Sequence, residues 1–247
     1  MIEIEHICKS FDGDDRQVLA DVSATFLDGQ TNLVIGRSGS GKTVLMKCLV
    51  GLLFPDSGRV LYDGRDFFSQ TKCELALLRR EVGMLFQGAA LFDSMSVLDN
   101  VLFPLEMFSS MSLPERRNRA YDCLERVGMQ DAVTKMPGEL SGGMQKRAAI
   151  ARAIVLQPRY LFCDEPNSGL DPISSLLIDE LIHSVTHELG MTTIINTHDM
   201  NSVLGIGESI LLIHEGHVEW KGTKDSVLHD ANPILRTFMA PVLNVKK

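Results

Sequence analysis

The chain has 247 residues, with 24 lysines and arginines against 32 aspartates and glutamates, a net charge of −8. Its hydrophobic fraction of 45% and charged fraction of 23% exclude a disordered chain, and the acidic balance excludes a protein whose main task is gripping nucleic acid. No apolar run approaches the roughly 20 residues of a membrane span; the longest, near Val44–Phe54, is broken by Lys47 and Gly51.

Read in chain order, Ile2, Ile4 and Ile7 alternate with polar residues as a half-buried strand does. Glu3, Glu5 and His6 argue against a signal peptide there, so the chain is expected to stay where it is made. Val18–Phe26 is a second expected strand, and Thr31–Ile35 a short apolar run consistent with a fully buried one. A helix is expected from Gly41 to Leu53, ended by the turn cluster Pro55–Gly58. Thr71 and Glu74 form a capping box for a helix to about Arg80, followed by a strand over Val82–Phe86. From Ser96 to Leu156 the pattern is mainly helical, punctuated by Pro104, Pro114 and Pro137. Then follow a strand (Tyr160–Cys163), a helix (Ile173–Leu189), a strand (Thr192–Asn196), a helix (Asp199–Ile206) and a strand (Ser209–His214). Glu215-Gly216 turns into a last strand over His217–Trp220, and a short helical tail closes the chain. Alternating strands and helices predict an α/β fold with a mixed sheet, and residues 88–156 stand out as a helical lobe inserted in it. Cys8, Cys48, Cys73, Cys123 and Cys163 are scattered without a CxxC, which suits a reducing compartment and small apolar core positions.

The chemistry concentrates in short motifs. Gly36-Arg37-Ser38-Gly39-Ser40-Gly41-Lys42-Thr43 fits G-x-x-x-x-G-K-[ST] between a strand and a helix. Its glycines let backbone wrap closely around phosphate, Lys42 is suited to the β/γ-phosphates and Thr43 to Mg²⁺. Asp164 and Glu165 end an apolar strand. Alone they would be a helix N-cap, but beside a phosphate loop Asp164 is suited to Mg²⁺ and Glu165 to polarising an attacking water. Leu140-Ser141-Gly142-Gly143-Met144 opens a helix and forms a second anion nest. Gln87 after one strand is either a metal or water ligand or a surface glutamine; His198 after another is either a γ-phosphate contact or structural. Asp171 reads as a turn residue, and Phe11 as either a core aromatic or a platform for adenine.

These motifs, in this order, resemble the ATPase subunits of ABC transporters: Walker A (Gly36–Thr43), Q-loop (Gln87), signature (Leu140–Met144), Walker B with its glutamate (Tyr160–Asp164, Glu165), D-loop (Ser168–Asp171) and switch histidine (His198). The resemblance covers nearly the whole chain as a single ABC ATPase domain. It implies a P-loop NTPase core (1–87 and 157–247) with an antiparallel β region, and a helical lobe (88–156) bearing the signature. It further implies ATP held between two head-to-tail copies, with adenine on Phe11 and phosphates on Gly36, Lys42 and the Ser38–Thr43 backbone. Mg²⁺ would be served by Thr43, Gln87 and Asp164. Glu165 would be the base, His198 the γ-phosphate sensor, and Ser141, Gly142, Gly143 and Asp171 contributors to the nucleotide site of the opposite copy. Met144 departs from the family's usual glutamine, which here follows as Gln145.

That departure, with Gly83–Val97 and Gly169–Ile173, resembles the Mce/Mla-type lipid-transport ATPases. This implies an integral-membrane permease and a periplasmic MCE-domain lipid-binding protein as partners, no nucleic acid, and a place on the cytoplasmic face of the inner membrane. The alternative within the same class is an ABC ATPase for another small solute. Seven of the twelve methionines fall in 84–144, pliable side chains suited to a partner helix docking near Leu91–Val101.

Overall fold

The computed structural model describes residues 1–11 and 17–243. The elements run β1 (Ile2–Lys9), β2 (Leu19–Phe26), β3 (Thr31–Ile35), α1 (Lys42–Leu49), β4 (Ser57–Tyr62), β5 (Arg65–Asp66) and α2 (Lys72–Arg80). There follow β6 (Val82–Leu85), α3 (Val97–Phe108), α4 (Leu113–Arg126), α5 (Gly142–Ile154), β7 (Tyr160–Asp164) and α6 (Pro172–Leu189). The chain ends with β8 (Thr192–Thr197), α7 (Met200–Ile206), β9 (Ser209–His214), β10 (His217–Gly222), α8 (Lys224–Val227) and α9 (Pro233–Leu243). They gather into two compact units, Met1–Arg79 with Thr192–Lys247, and Arg80–Met191.

In the first unit β1, β2, β4 and β5 form an antiparallel sheet in the order β2-β1-β4-β5. Ile2, Ile4 and Ile7 of β1 are all buried, as their alternation requires. Beside this, β3 is flanked in parallel by β8 and β9, and β9 pairs antiparallel with β10, which makes this part of the α/β fold mixed. Every residue of β3 and β8 is buried, the polar Thr31, Asn32, Thr192, Thr193, Asn196 and Thr197 included. The Glu215-Gly216 turn has positive φ at both residues (48° and 82°), the geometry of a tight two-residue hairpin.

Three local expectations are refined here. α1 stops at Leu49 rather than Leu53, because Gly51 adopts φ 72° where an added Cβ would lie 2.2 Å from the Phe67 ring. The amides of Leu52 and Leu53 turn back to the Lys47 carbonyl. β4 and β5 were not evident in the sequence pattern; Val60 and Tyr62 bury one face of β4 against β1. Their hairpin is closed by Asp63-Gly64, again at positive φ. Pro104 lies inside α3 without ending it, while Pro114 sits in the first turn of α4, where a missing N–H costs nothing.

In the second unit β6 and β7 pair in parallel, and α3, α4, α5 and α6 pack through shared contacts with α5. The small buried residues Ala148, Ala149 and Ala151 on α5 permit close approach on several sides. α3 is capped by Ser96, whose hydroxyl accepts from the Asp99 amide at 3.1 Å. α4, polar on most of its surface, starts with a reciprocal Ser112/Glu115 capping box. No described helix is long and apolar enough to cross a membrane.

Candidate functional site

In the first unit the phosphate loop joins β3 to α1, and its path needs glycine. Gly36, Gly39 and Gly41 have φ of 151°, 79° and 107°. A Cβ on Gly36 would lie 2.3 Å from the Ile213 carbonyl oxygen, and one on Gly41 would lie 2.7 Å from that of Val18. The loop is closed from within: Ser40 donates its amide to the Arg37 carbonyl at 3.1 Å, and buried Lys42 donates from Nζ to the carbonyls of Gly36 (2.9 Å) and Arg37 (3.2 Å). The Ser40 hydroxyl is buried without a hydrogen-bond partner, a polar atom that an anion in the loop would satisfy. Ser38, Gly39 and Thr43 are exposed.

The strand register brings His198 to the same edge. Ile35 of β3 lies opposite Thr197 of β8, so the phosphate loop and His198 leave neighbouring parallel strands at the same end. His198 is exposed, and Asp199 caps α7 by accepting from the Asn201 amide at 2.8 Å. Phe11 is 44% exposed, with the Lys9 ammonium 5.7 Å from its ring centre, so its face is a surface rather than core.

In the second unit a parallel register does the same for the acids. Leu85 of β6 lies opposite Cys163 of β7, so Gln87 and the Asp164-Glu165 pair emerge from one strand end. Glu165 takes a left-handed φ of 48°, strain of the kind stored at working sites. Gln87 donates from Nε2 to the Ser168 hydroxyl at 3.1 Å, which ties it to the D-loop and leaves its amide oxygen as the acceptor end.

Ser141 caps α5, its hydroxyl accepting from the Met144 amide at 3.3 Å. Gln145 folds back to donate to the carbonyls of Pro137 (3.0 Å) and Leu140 (3.5 Å), so the glutamine one place beyond the usual position braces the signature turn from behind. A Cβ on Gly142 would lie 3.2 Å from Leu170, so the signature and D-loop approach each other within this unit. Asp171 caps α6 by accepting from the amides of Ile173 and Ser174; hydrogen bonds from the Ser174 hydroxyl and amide hold its carboxyl below the usual range.

Two residues escaped the sequence reading: Lys146 and Arg152. Lys146 is buried on α5 and donates to the Gln87 carbonyl oxygen. Burial pushes its ammonium below the usual value, opposed by the charges of Asp164 and Glu165. Arg152 donates to the carbonyls of Ala89 and Ala90. The signal for both was a cation inside a helix whose other residues are largely apolar.

In the first unit the Thr43 hydroxyl, and in the second the Gln87 amide oxygen and the Asp164 carboxylate, are hard oxygen donors of the kind that Mg²⁺ takes. The phosphate loop fits an anion, and each of these three groups by its chemistry fits a hard divalent cation.

Comparison with known proteins bears on the family and the fold. Residues 19–168 match the family model described as ABC transporter. The chain is 37% identical over 238 residues to the probable ribonucleotide transport ATP-binding protein mkl of Mycobacterium leprae, covering 96% of this chain and 68% of that protein. It is 39% identical over 230 residues to the intermembrane phospholipid transport system ATP-binding protein MlaF of Haemophilus influenzae, covering 92% and 86%. Its fold superposes on the ADP- and phosphate-bound dimeric ATP-binding cassette MJ0796 with a TM-score of 0.82 at 30% identity, over 91% of this chain and 99% of that one.

Proposed function

This chain belongs to the ABC transporter family as an ATP-hydrolysing subunit, and we propose that it powers phospholipid movement across the bacterial envelope in an Mce/Mla-type complex. The observation that carries the lipid reading is its 39% identity to MlaF across 86% of that protein. In this reading two copies meet head to tail around ATP, beneath an integral-membrane permease that works with a periplasmic MCE-domain protein. The chain then sits on the cytoplasmic face of the inner membrane, held there by the permease.

The roles follow from the chemistry of each group. On nucleotide binding, the Lys42 ammonium exchanges the carbonyls of Gly36 and Arg37 for phosphate oxygens, so the loop is pre-shaped and its cation pre-positioned. Gly36, Ser38, Gly39, Ser40, Gly41 and Thr43 cradle the phosphates, and Phe11 stacks on adenine. Thr43, Gln87 and Asp164 would hold Mg²⁺, which when bound neutralises charge on the β- and γ-phosphate oxygens. Glu165 takes a proton from the attacking water, and His198 reads the γ-phosphate. Ser141, Gly142 and Gly143 of the second copy present the N-terminus of α5 to that phosphate, with Asp171 holding the D-loop beside them. Residues 88–156 act as the helical lobe. Phe92 and Met107 are 42% and 59% exposed there, and of its methionines only Met129 is fully buried, which supports a permease helix docking near Leu91–Val101.

The name of the mycobacterial relative favours a second reading, an ABC ATPase for a nucleotide-like solute. One experiment separates the two: gentle extraction of membranes with the tagged chain as bait, and mass spectrometry of the proteins and lipids that follow it. A multispanning permease, an MCE-domain protein and enriched phospholipid are expected. A different permease with a solute-binding protein and no lipid enrichment overturns the lipid reading.

A further inference from the structure

Two consecutive alanines between β6 and α3 sit in the left-handed region. Ala89 and Ala90 have φ of 59° and 50°, a conformation that residues with a Cβ adopt only when their surroundings hold them there. The Ala90 amide reaches the Gly88 carbonyl at 2.6 Å, closing a three-residue turn around Ala89, and the Ala89 amide reaches Phe86 at 3.0 Å. Ala89 is buried, and no glycine occupies either strained position.

What holds this turn comes from α5. The Arg152 guanidinium spans both carbonyls, with one nitrogen 2.7 Å from that of Ala90 and the other 2.9 Å from that of Ala89. Its Cζ lies 5.8 Å from the Phe92 ring centre, and Phe92 in turn packs edge-on to Phe103 at 4.9 Å. Two turns earlier on the same helix, Lys146 donates to the Gln87 carbonyl. One helix, whose first residues are the signature Gly142 and Gly143, thus grips three of the four carbonyls from Gln87 to Ala90. A fork of N–H donors matches two adjacent carbonyls as a single ammonium does not.

We propose that Arg152 is a positioning residue for ATP hydrolysis: by clamping the left-handed Ala89-Ala90 turn it fixes the Gln87 side chain, and it couples the signature helix to the Q-loop. The inference rests on the ATPase reading above. It makes the Q-loop conformation a property of α5 rather than of the loop's own sequence.

The test uses the full-length chain with MgATP. Arg152→Met keeps bulk and removes both hydrogen bonds. Amide exchange over 86–92 should rise at least about tenfold, the mark of local opening, while 142–154 stays protected. Turnover should fall about 10- to 100-fold, what misplacing a reacting group costs, with the KM for ATP changed less than about twofold. Adding Ala89→Gly and Ala90→Gly should then restore protection and most of the turnover, because glycine accepts positive φ without a clamp. A residue that merely packs would gain nothing from those glycines. Arg152→Lys, which keeps the charge but not the fork, should fall between wild type and Arg152→Met, and it serves if the methionine variant does not fold. Unchanged exchange at 86–92, a loosened turn with unchanged turnover, or failure of the glycines to rescue each overturns the proposal. Glu165→Gln measured alongside keeps the two readings apart: wild-type turnover that this variant abolishes upholds the ATPase reading whatever Arg152 does. If wild type itself shows no turnover, the exchange data still judge the clamp.

Discussion

The phosphate loop and the Q-loop segment both run in left-handed backbone, and they reach it by opposite means. Gly36–Thr43 uses glycines at its positive-φ positions and closes itself with Lys42, which binds the carbonyls of Gly36 and Arg37 six and five residues away. Gln87–Ala90 uses alanines and is held by cations some sixty residues later in the chain. The first is a local solution, written contiguously and readable as a motif. The second is a tertiary one, in which strain in one segment is offset by hydrogen bonds from another. A loop that must present one fixed surface to an anion gains from the former; a loop that must answer to the state of a helix gains from the latter.

The largest effect expected separates chemistry from architecture in both regions. Glu165→Gln should still bind ATP while turnover falls about 10²- to 10⁴-fold, the usual contribution of a general base. Near-normal turnover in a folded variant would remove Glu165 from that role and leave both loops as scaffolding. Breaking the local solution comes next. Gly36→Ala puts a Cβ 2.3 Å from a backbone carbonyl that has no room to give, so unfolding in denaturant should show a loss of about 1–3 kcal/mol with weakened nucleotide binding. An unperturbed variant would mean that the loop is more adaptable than its glycines indicate.

Asn100 offers a comparable break in the segment just beyond Gln87–Ala90, which it holds through partners four to eight residues away. Fully buried on α3, it accepts from the Phe92 amide at 2.8 Å and donates to the carbonyls of Phe92, Met95 and Ser96 at 3.0–3.1 Å. Asn100→Ala strands these groups and should cost about 1–3 kcal/mol by the same denaturant measurement, with faster exchange confined to 91–96. Equal loss across the whole unit would show that the segment is not held separately.

The smallest effect is a control outside both regions. The Lys9 ammonium, together with the Ser10 amide and hydroxyl, lowers the Asp56 carboxyl from 3.8 to about 2. A folded-state value below the unfolded one means a contribution present above about pH 4 and lost as pH falls through 2. Asp56→Asn should flatten the stability curve slightly in that window and leave turnover at neutral pH unchanged. A neutral-pH effect on turnover would show that the β1–β4 edge communicates with the nucleotide site.

Much of this molecule was legible before any coordinates. The buried strands β3, β7 and β8 lie where the pattern placed strands, and α6 (Pro172–Leu189) matches the helix expected over Ile173–Leu189. β4 was missed because only Val60 and Tyr62 mark its buried face, although Asp63-Gly64 was a hairpin signal in plain view. Helix α1 ended early because Gly51 is fitted to the Phe67 ring, a neighbour sixteen positions away. Ala89 and Ala90 carry no sign of left-handed backbone, and Lys146 and Arg152 none of the carbonyls they bind.

By itself, the sequence determined the family, the fold class and the contiguous phosphate loop, because those depend on periodicity, on glycine's freedom at positive φ and on donors set close along the chain. Tertiary structure alone decided where α1 stops, that Gln145 braces the signature turn, that Gln87 is tied to Ser168, and that α5 holds the Q-loop. Apart from Gln145, whose partners lie within eight residues, each of these is a contact between residues distant in the chain, and such distance carries no information about geometry until the fold has brought the partners together.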